Sequence, residues 1–165
     1  MKLYHFFVKN NLMFNFYLYD LKDFGMLKNF IDEFDLNKTV ILCIGTKKMF
    51  EDSFGVLFGD RIKSKKLYCF GSSKREINGT NFLKVYDYVR NKYKDYKILV
   101  IDSVYVNSKN KPILIYQNFG VKVSGLNNDV VVGDAGILFN AFSYNNYNSF
   151  DCVLTKLEKL FEKNC

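Results

Sequence analysis

One histidine, one proline and no Cys-x-x-Cys pair are found in this chain of 165 residues, and each scarcity closes off a class of function. With His5 alone, a Cys/His zinc set cannot be assembled and a Ser-His-Asp triad would have to rest on one residue of an aromatic N-terminal stretch. No metal and no cofactor is therefore expected. The four cysteines (Cys43, Cys69, Cys152, Cys165) do not have the spacing of a disulfide framework. Cys43 and Cys69 lie in apolar runs, where a thiol behaves as a small hydrophobe, and the expected compartment is reducing cytoplasm. There is no Walker A loop, no G-x-G-x-x-G after a strand, no G-x-S-x-G and no aromatic-plus-basic RNA-recognition signature. Long apolar runs are missing too. Residues 1–20 are aromatic but broken by Lys9, Asn10 and Asn11, with no small-residue cleavage site, so neither a signal peptide nor a membrane span is expected.

What is present is charge, aromatic mass and a repeated strand-to-helix pattern. The net charge is +7, with lysines scattered through every segment and short clusters at Lys47-Lys48, Lys63–Lys66 and Lys109/Lys111. A solvated basic surface explains this better than a nucleic-acid face, since no stripe or motif accompanies it. The scarcity of Pro beside abundant Asn, Lys, Tyr and Phe reads as compositional bias of the genome rather than a mark of the fold.

The organising stretch is Val40–Ile62. Val40–Ile44 is an apolar run closed by Gly45, as a strand covered on both faces reads. Thr46, Lys47 and Lys48 make a polar turn, and Glu51-Asp52-Ser53 precedes helical spacing from Phe54 to Ser64. Upstream, Leu27, Phe30, Ile31 and Phe34 fall on one helical face within Leu21–Phe34. Downstream come a short strand at Leu67–Phe70, a helix over Asn81–Lys94 and a second buried strand, Lys97–Asp102. Helix and strand alternate, which predicts βαβ units and a parallel sheet. Ile113–Tyr116, Val121–Val123 and Val130–Val132 read as strands or as loops over the carboxyl edge of the sheet. Gly133–Gly136 reads as an acidic turn, and Phe150–Phe161 as a closing helix.

Two apolar runs lead to aspartates, Asp52 and Asp102, and sites of open α/β sheets gather at the carboxyl edge. Two neighbouring carboxyls do not both ionise easily, so one serves as a base on water while the other, protonated, donates to a carbonyl. Asp52, at a helix start, is favoured as the ionised member; Asp102, at the end of a buried strand, as the acid. Glu51, Thr46, Ser53, Ser103, Gly71, Asn81 and Asp134 are the remaining site-lining candidates. From spacing alone, a helix cap at Asp52 and turns at Asp102 and Asp134 are the favoured roles. Ser53 and Ser103 read as turn residues, because no base accompanies them.

The segment Val40–Ile62, with Cys43-Ile44-Gly45-Thr46 and then Asp52-Ser53-Phe54-Gly55, resembles the opening of the YyaC-type sporulation proteins. The likeness continues at Phe70-Gly71-Ser72, Asn81, Val100–Ser103 and Val132-Gly133-Asp134, and spans residue 40 into the 140s. Gly55-Val56 stands where that family has Gly-Pro, and Asn78 where it has a histidine. The family is similar in turn to the spore germination protease, in which two aspartates are the proposed catalytic pair; Asp52 and Asp102 match their positions. Hydrogenase-maturation proteases share the architecture and hold nickel with acidic residues and a histidine, which this chain lacks past residue 5. Peptidyl-tRNA hydrolases share it also, without a match to their His-Asn pattern.

The expectation is a single α/β domain over residues 1–165, with a three-layer, mostly parallel mixed sheet flanked by helices, as in phosphorylase/hydrolase-like folds. Residues 1–38 form an N-terminal extension and helix packed on a core of residues 39–165. The resemblance implies a sporulation-associated, aspartate-dependent endopeptidase of the spore or mother-cell cytoplasm acting on protein or peptide, such as small acid-soluble spore proteins. The alternative is a non-catalytic sporulation or assembly protein that keeps the fold and binds a protein partner. Membrane and nucleic-acid partners are not expected.

Overall fold

Side chains alternate along the apolar runs and fill two separate cores, one on each face of a seven-stranded sheet. The structure, a computed structural model, describes residues 4–8, 11–107, 111–123, 130–141 and 147–162. Lys109 and Cys165 lie outside the described residues.

In chain order the elements are β1 (Tyr4–Val8), β2 (Asn11–Leu18), α1 (Phe24–Asp32), β3 (Thr39–Cys43), α2 (Phe54–Ile62), β4 (Tyr68–Phe70) and α3 (Phe82–Lys92). They continue with β5 (Lys97–Val104), β6 (Leu114–Gln117), β7 (Val121–Val123), β8 (Val130–Val132), β9 (Ala135–Asn140) and α4 (Tyr147–Glu162). The sheet order is β1-β2-β6-β9-β5-β3-β4. Strands β9, β5, β3 and β4 are mutually parallel, while β6 is antiparallel to β9 and to β2. The sheet is thus mixed, with β2, β3, β4, β5 and β9 running one way and β1 and β6 the other.

The helices make this a three-layer α/β fold. Leu27, Phe30 and Ile31 of α1, Phe54, Phe58 and Ile62 of α2 and Phe150, Val153, Leu157 and Phe161 of α4 bury against Ile41, Leu99, Ile101 and Ile137 on one face. Phe82 and Val89 of α3 bury against Val40, Leu42, Ile98 and Val100 on the other. Phe54 stacks on Phe139 at 4.8 Å and meets Phe150 edge-on, tying the start of α2 to β9 and α4. Among the described residues no helix is long and apolar enough to cross a membrane.

Two sequence expectations are corrected and one open choice is decided. Residues 11–18 are not an extension lying on the core: β2 pairs with β6 from Asn15↔Gln117 to Leu18↔Leu114 and so belongs to the sheet. The turn expected at Gly133–Gly136 ends at Asp134, and Ala135 opens β9, which is inserted between β5 and β6. Of the two readings of Val121–Val123 and Val130–Val132, strands is the one observed: β7 and β8 form their own antiparallel ribbon. Val121, Val123 and Val132 cover the α3 side, and the Gly133 N–H donates to Tyr86 Oη at 3.1 Å.

Candidate active site

Parallel strands end on one edge, and the crossover from β3 into α2 lies across that edge. Gly55 permits the fit. A Cβ on it would overlap the carbonyl oxygen of Ile44 and lie 2.6 Å from that of Ile101, so the first turn of α2 rests on the ends of both strands. The Ile44 N–H donates to the Ile101 carbonyl at 2.8 Å, which fixes the strand ends to each other. Asp52 is three residues before Gly55, in a 3-10 turn over Phe50–Asp52, and Asp102 follows Ile101 directly. Gly45, at φ +134°, turns the chain out of β3 in a conformation that side chains resist, and Asp52 Oδ1 is 3.6 Å from where its Cβ would be.

The two aspartates sit in unlike surroundings. Burial pushes the Asp102 carboxyl up to about 8, the charge of Asp52 adds to the rise, and the Ser103 N–H opposes it. That N–H donates to Asp102 Oδ1 at 2.7 Å. Asp52 is raised as well, first by burial, with the Thr46 backbone N–H opposing and the Glu76 charge adding. The influence runs from Asp52 to Asp102 because Asp102 is still neutral while Asp52 titrates. At neutral pH Asp102 is therefore the member of the two that holds a proton.

Glu76 was not legible as a site residue, yet it holds the turn that carries Asp52. Thr46 Oγ1 donates to Glu76 Oε2 at 2.8 Å and the Lys47 N–H to Oε1 at 2.9 Å. These bonds, with the Lys47 N–H first, keep its carboxyl below the usual range. The Gly45 N–H donates to the Ile77 carbonyl at 2.8 Å, and the Thr46 N–H to the Asp52 carbonyl at 2.9 Å. Only the fold brings residues 46 and 76 together, so no local signal marks Glu76. Tyr105, exposed at the rim, has its phenol raised by burial and by the charges of Glu51 and Asp52.

The other candidates divide clearly. Thr46 and Glu51 belong to the turn and its rim. Ser53 is buried and its hydroxyl donates to the Phe50 carbonyl at 2.7 Å, a turn bond rather than a nucleophile's setting. Ser103 Oγ is buried with no hydrogen-bond partner among the described residues; by strand alternation it faces the α2 side, away from the Asp102 carboxyl. Gly71, at φ +97°, lets β4 end against Cys43 and Gly59. Asn81 staples its own loop, donating to the Glu76 carbonyl at 2.9 Å and accepting the Asn78 N–H at 3.0 Å. Asp134 does not join the site. It accepts the Ile98 N–H at 2.7 Å and pairs with Arg90, at the amino end of β5, roughly 13 Å along the strand from Asp102. Among the described residues no three His, Cys, Asp or Glu side chains gather as metal ligands.

The family described as a protein of unknown function, DUF1256, matches residues 16–161. The chain belongs to the DUF1256 family. No curated relative matches it. The matched span of this DUF1256 chain takes in Asp52, Asp102 and Glu76 and every sheet strand except β1 and the first part of β2.

Proposed function

We propose that this protein is an aspartate-dependent endopeptidase linked to sporulation, with Asp52 as general base and Asp102 as general acid. The observation that carries the reading is the seating of Gly55 on Ile44 and Ile101, which sets the turn that carries Asp52 over the strand that carries the proton-holding Asp102. In that arrangement the Asp102 carboxyl donates to the carbonyl oxygen of a scissile peptide bond. The Asp52 carboxylate takes a proton from a water whose oxygen attacks the carbonyl carbon. Asp52 then passes that proton to the leaving nitrogen as the C–N bond breaks, and a hydroxyl of the tetrahedral intermediate returns its proton to Asp102 as the carboxyl product forms, which restores the one-proton state. Glu76 positions Asp52 through the Thr46 turn. The sporulation setting and the small acid-soluble spore proteins as substrates come from the likeness to YyaC-type proteins and the germination protease.

The test is incubation of small acid-soluble spore proteins with wild type, Asp52→Asn and Asp102→Asn, read by mass spectrometry of the products. Cleavage by the wild type that drops by about 100-fold or more in each folded variant supports the pair, in line with the usual size of acid–base contributions. Cleavage that survives Asp102→Asn unchanged, or is absent from the wild type, overturns it in favour of a non-catalytic assembly role.

A further inference from the structure

A groove of about 670 Å³ opens beside the turn that carries Asp52, and neither aspartate lines it. Its apolar side is formed by Phe70, Ile77 and Val85 and its rim by Lys74 and Arg75, with Glu76 in the wall facing the Thr46 turn. Lys74 and Arg75 stand on a tight turn held by reciprocal backbone bonds between Ser72 and Arg75, at 3.1 and 3.0 Å. The Ser73 N–H fastens that turn to Asp60 Oδ2 at 3.4 Å. Among the described residues no carboxylate pairs with Lys74 or Arg75. Glu76 keeps its charge, but its two oxygens are turned to Thr46 and the Lys47 N–H rather than to Lys74 or Arg75. The groove therefore presents two basic side chains without an ion-pair partner among the described residues, over an apolar floor.

The same groove follows the last strand of the sheet. β4 pairs with β3 along one side only, and no described strand borders its other side. A strand edge with unsatisfied backbone groups is the surface that extended peptides use when they add to a sheet. β4 is parallel to β3 and β5, so its carboxyl end, at Gly71, leads to the edge where Asp52 and Asp102 lie.

We propose that the β4 edge and its groove bind an extended peptide as an added strand, with an acidic side chain seated at Lys74 and Arg75 and an apolar one on the Phe70–Ile77 floor. A second copy of this chain is a poor occupant, because antiparallel twofold pairing through β4 sets each Lys74–Arg75 turn toward the basic Lys63–Lys66 segment that precedes the strand in the other copy. The cleavage of such a peptide rests on the peptidase reading, whereas its binding does not.

Binding is tested with the Asp52→Asn/Asp102→Asn double variant, so that it is read without cleavage. The probe is a fluorescein-labelled peptide of alternating Val and Glu, followed by anisotropy, with amide shifts in NMR to locate it. The expected result is saturable binding, with shifts on residues 68–77. Adding Lys74→Glu/Arg75→Glu weakens binding by about tenfold or more, and methylating alternate peptide nitrogens has a similar effect. A Val–Lys peptide does not bind. Equal affinity with and without the Lys74→Glu/Arg75→Glu change overturns the proposal, as do shifts away from β4. A β4-paired dimer seen by sedimentation assigns the edge to a second copy and overturns it as well. Peptide bound at β4 but left uncut by the wild-type protein counts against the peptidase reading alone.

Discussion

Gly55 rests on the Ile44 carbonyl so closely that no side chain fits between them, and this approach holds the start of α2 against β3 and β5. The obstructing atoms are backbone of two paired strands, which cannot move aside as a flexible side chain does. Gly55→Ala is expected to lower stability by about 3 kcal/mol or more and to push α2 off the sheet edge. The control is Gly25→Ala in α1, where an added Cβ meets nothing within 4 Å; there the change is expected to stabilise by about 0.5–1 kcal/mol. Urea titration of both variants checks the contrast.

Asp102 makes stability depend on pH in a predictable direction. In the unfolded chain it loses its proton near the ordinary carboxylate value of about 4, and in the folded chain only near 8. Between these values the folded state holds the extra proton, so this group costs stability progressively as pH rises through the window, with the full cost above 8. Asp102→Asn removes the dependence. It is expected to be more stable than wild type at pH 9, by on the order of 2–5 kcal/mol, with the gain vanishing toward pH 4. Parallel denaturant curves at the two pH values decide it.

Catalysis should show the same groups in its pH profile. Activity that needs neutral Asp102 falls as pH rises through about 8. The acid limb, set by Asp52, lies above the range of an ordinary aspartate because burial and Glu76 raise it. Glu76→Gln removes a charge near Asp52, so the Asp52 pKa and the acid limb both move down. Carboxyl carbon NMR reads the first shift even in an inactive protein.

Asp134 serves as the contrasting aspartate. Asp134→Asn is expected to leave peptide cleavage within about twofold of wild type. Because it weakens the bonds to Ile98 and Arg90, it lowers stability by about 1 kcal/mol. Loss of cleavage comparable to that of Asp52→Asn would place it in the machinery after all.

Much of this was written in local sequence. Runs of apolar residues at period 2 or 3.6 give β3, β5, α1, α2, α3 and α4 their limits within a few residues, because each element must bury one face or both whatever its neighbours are. The same runs put Asp52 between β3 and α2 and Asp102 on β5, although β5 runs on to Val104 instead of ending at the aspartate. Other features depended on partners far along the chain. β9 hid behind Gly133 and Gly136 because a strand covered on both faces shows no alternation, and its place between β5 and β6 is a matter of pairing. The aromatic N-terminal stretch reads alike as an extended segment packed on the domain or as one used in self-association, and its place in the sheet shows only in the pairing of β2 with β6. Asp134 and Asp102 both follow apolar runs, and only the register, Ile98 at one end of β5 and Asp102 toward the other, separates a structural carboxylate from a site carboxylate. Local hydrophobic periodicity thus determined which segments are helix and strand and where the aspartates fall along them. The tertiary structure alone decided which carboxyls meet, how deeply each is buried and that Glu76 holds their turn, since desolvation and charge act through space rather than along the chain.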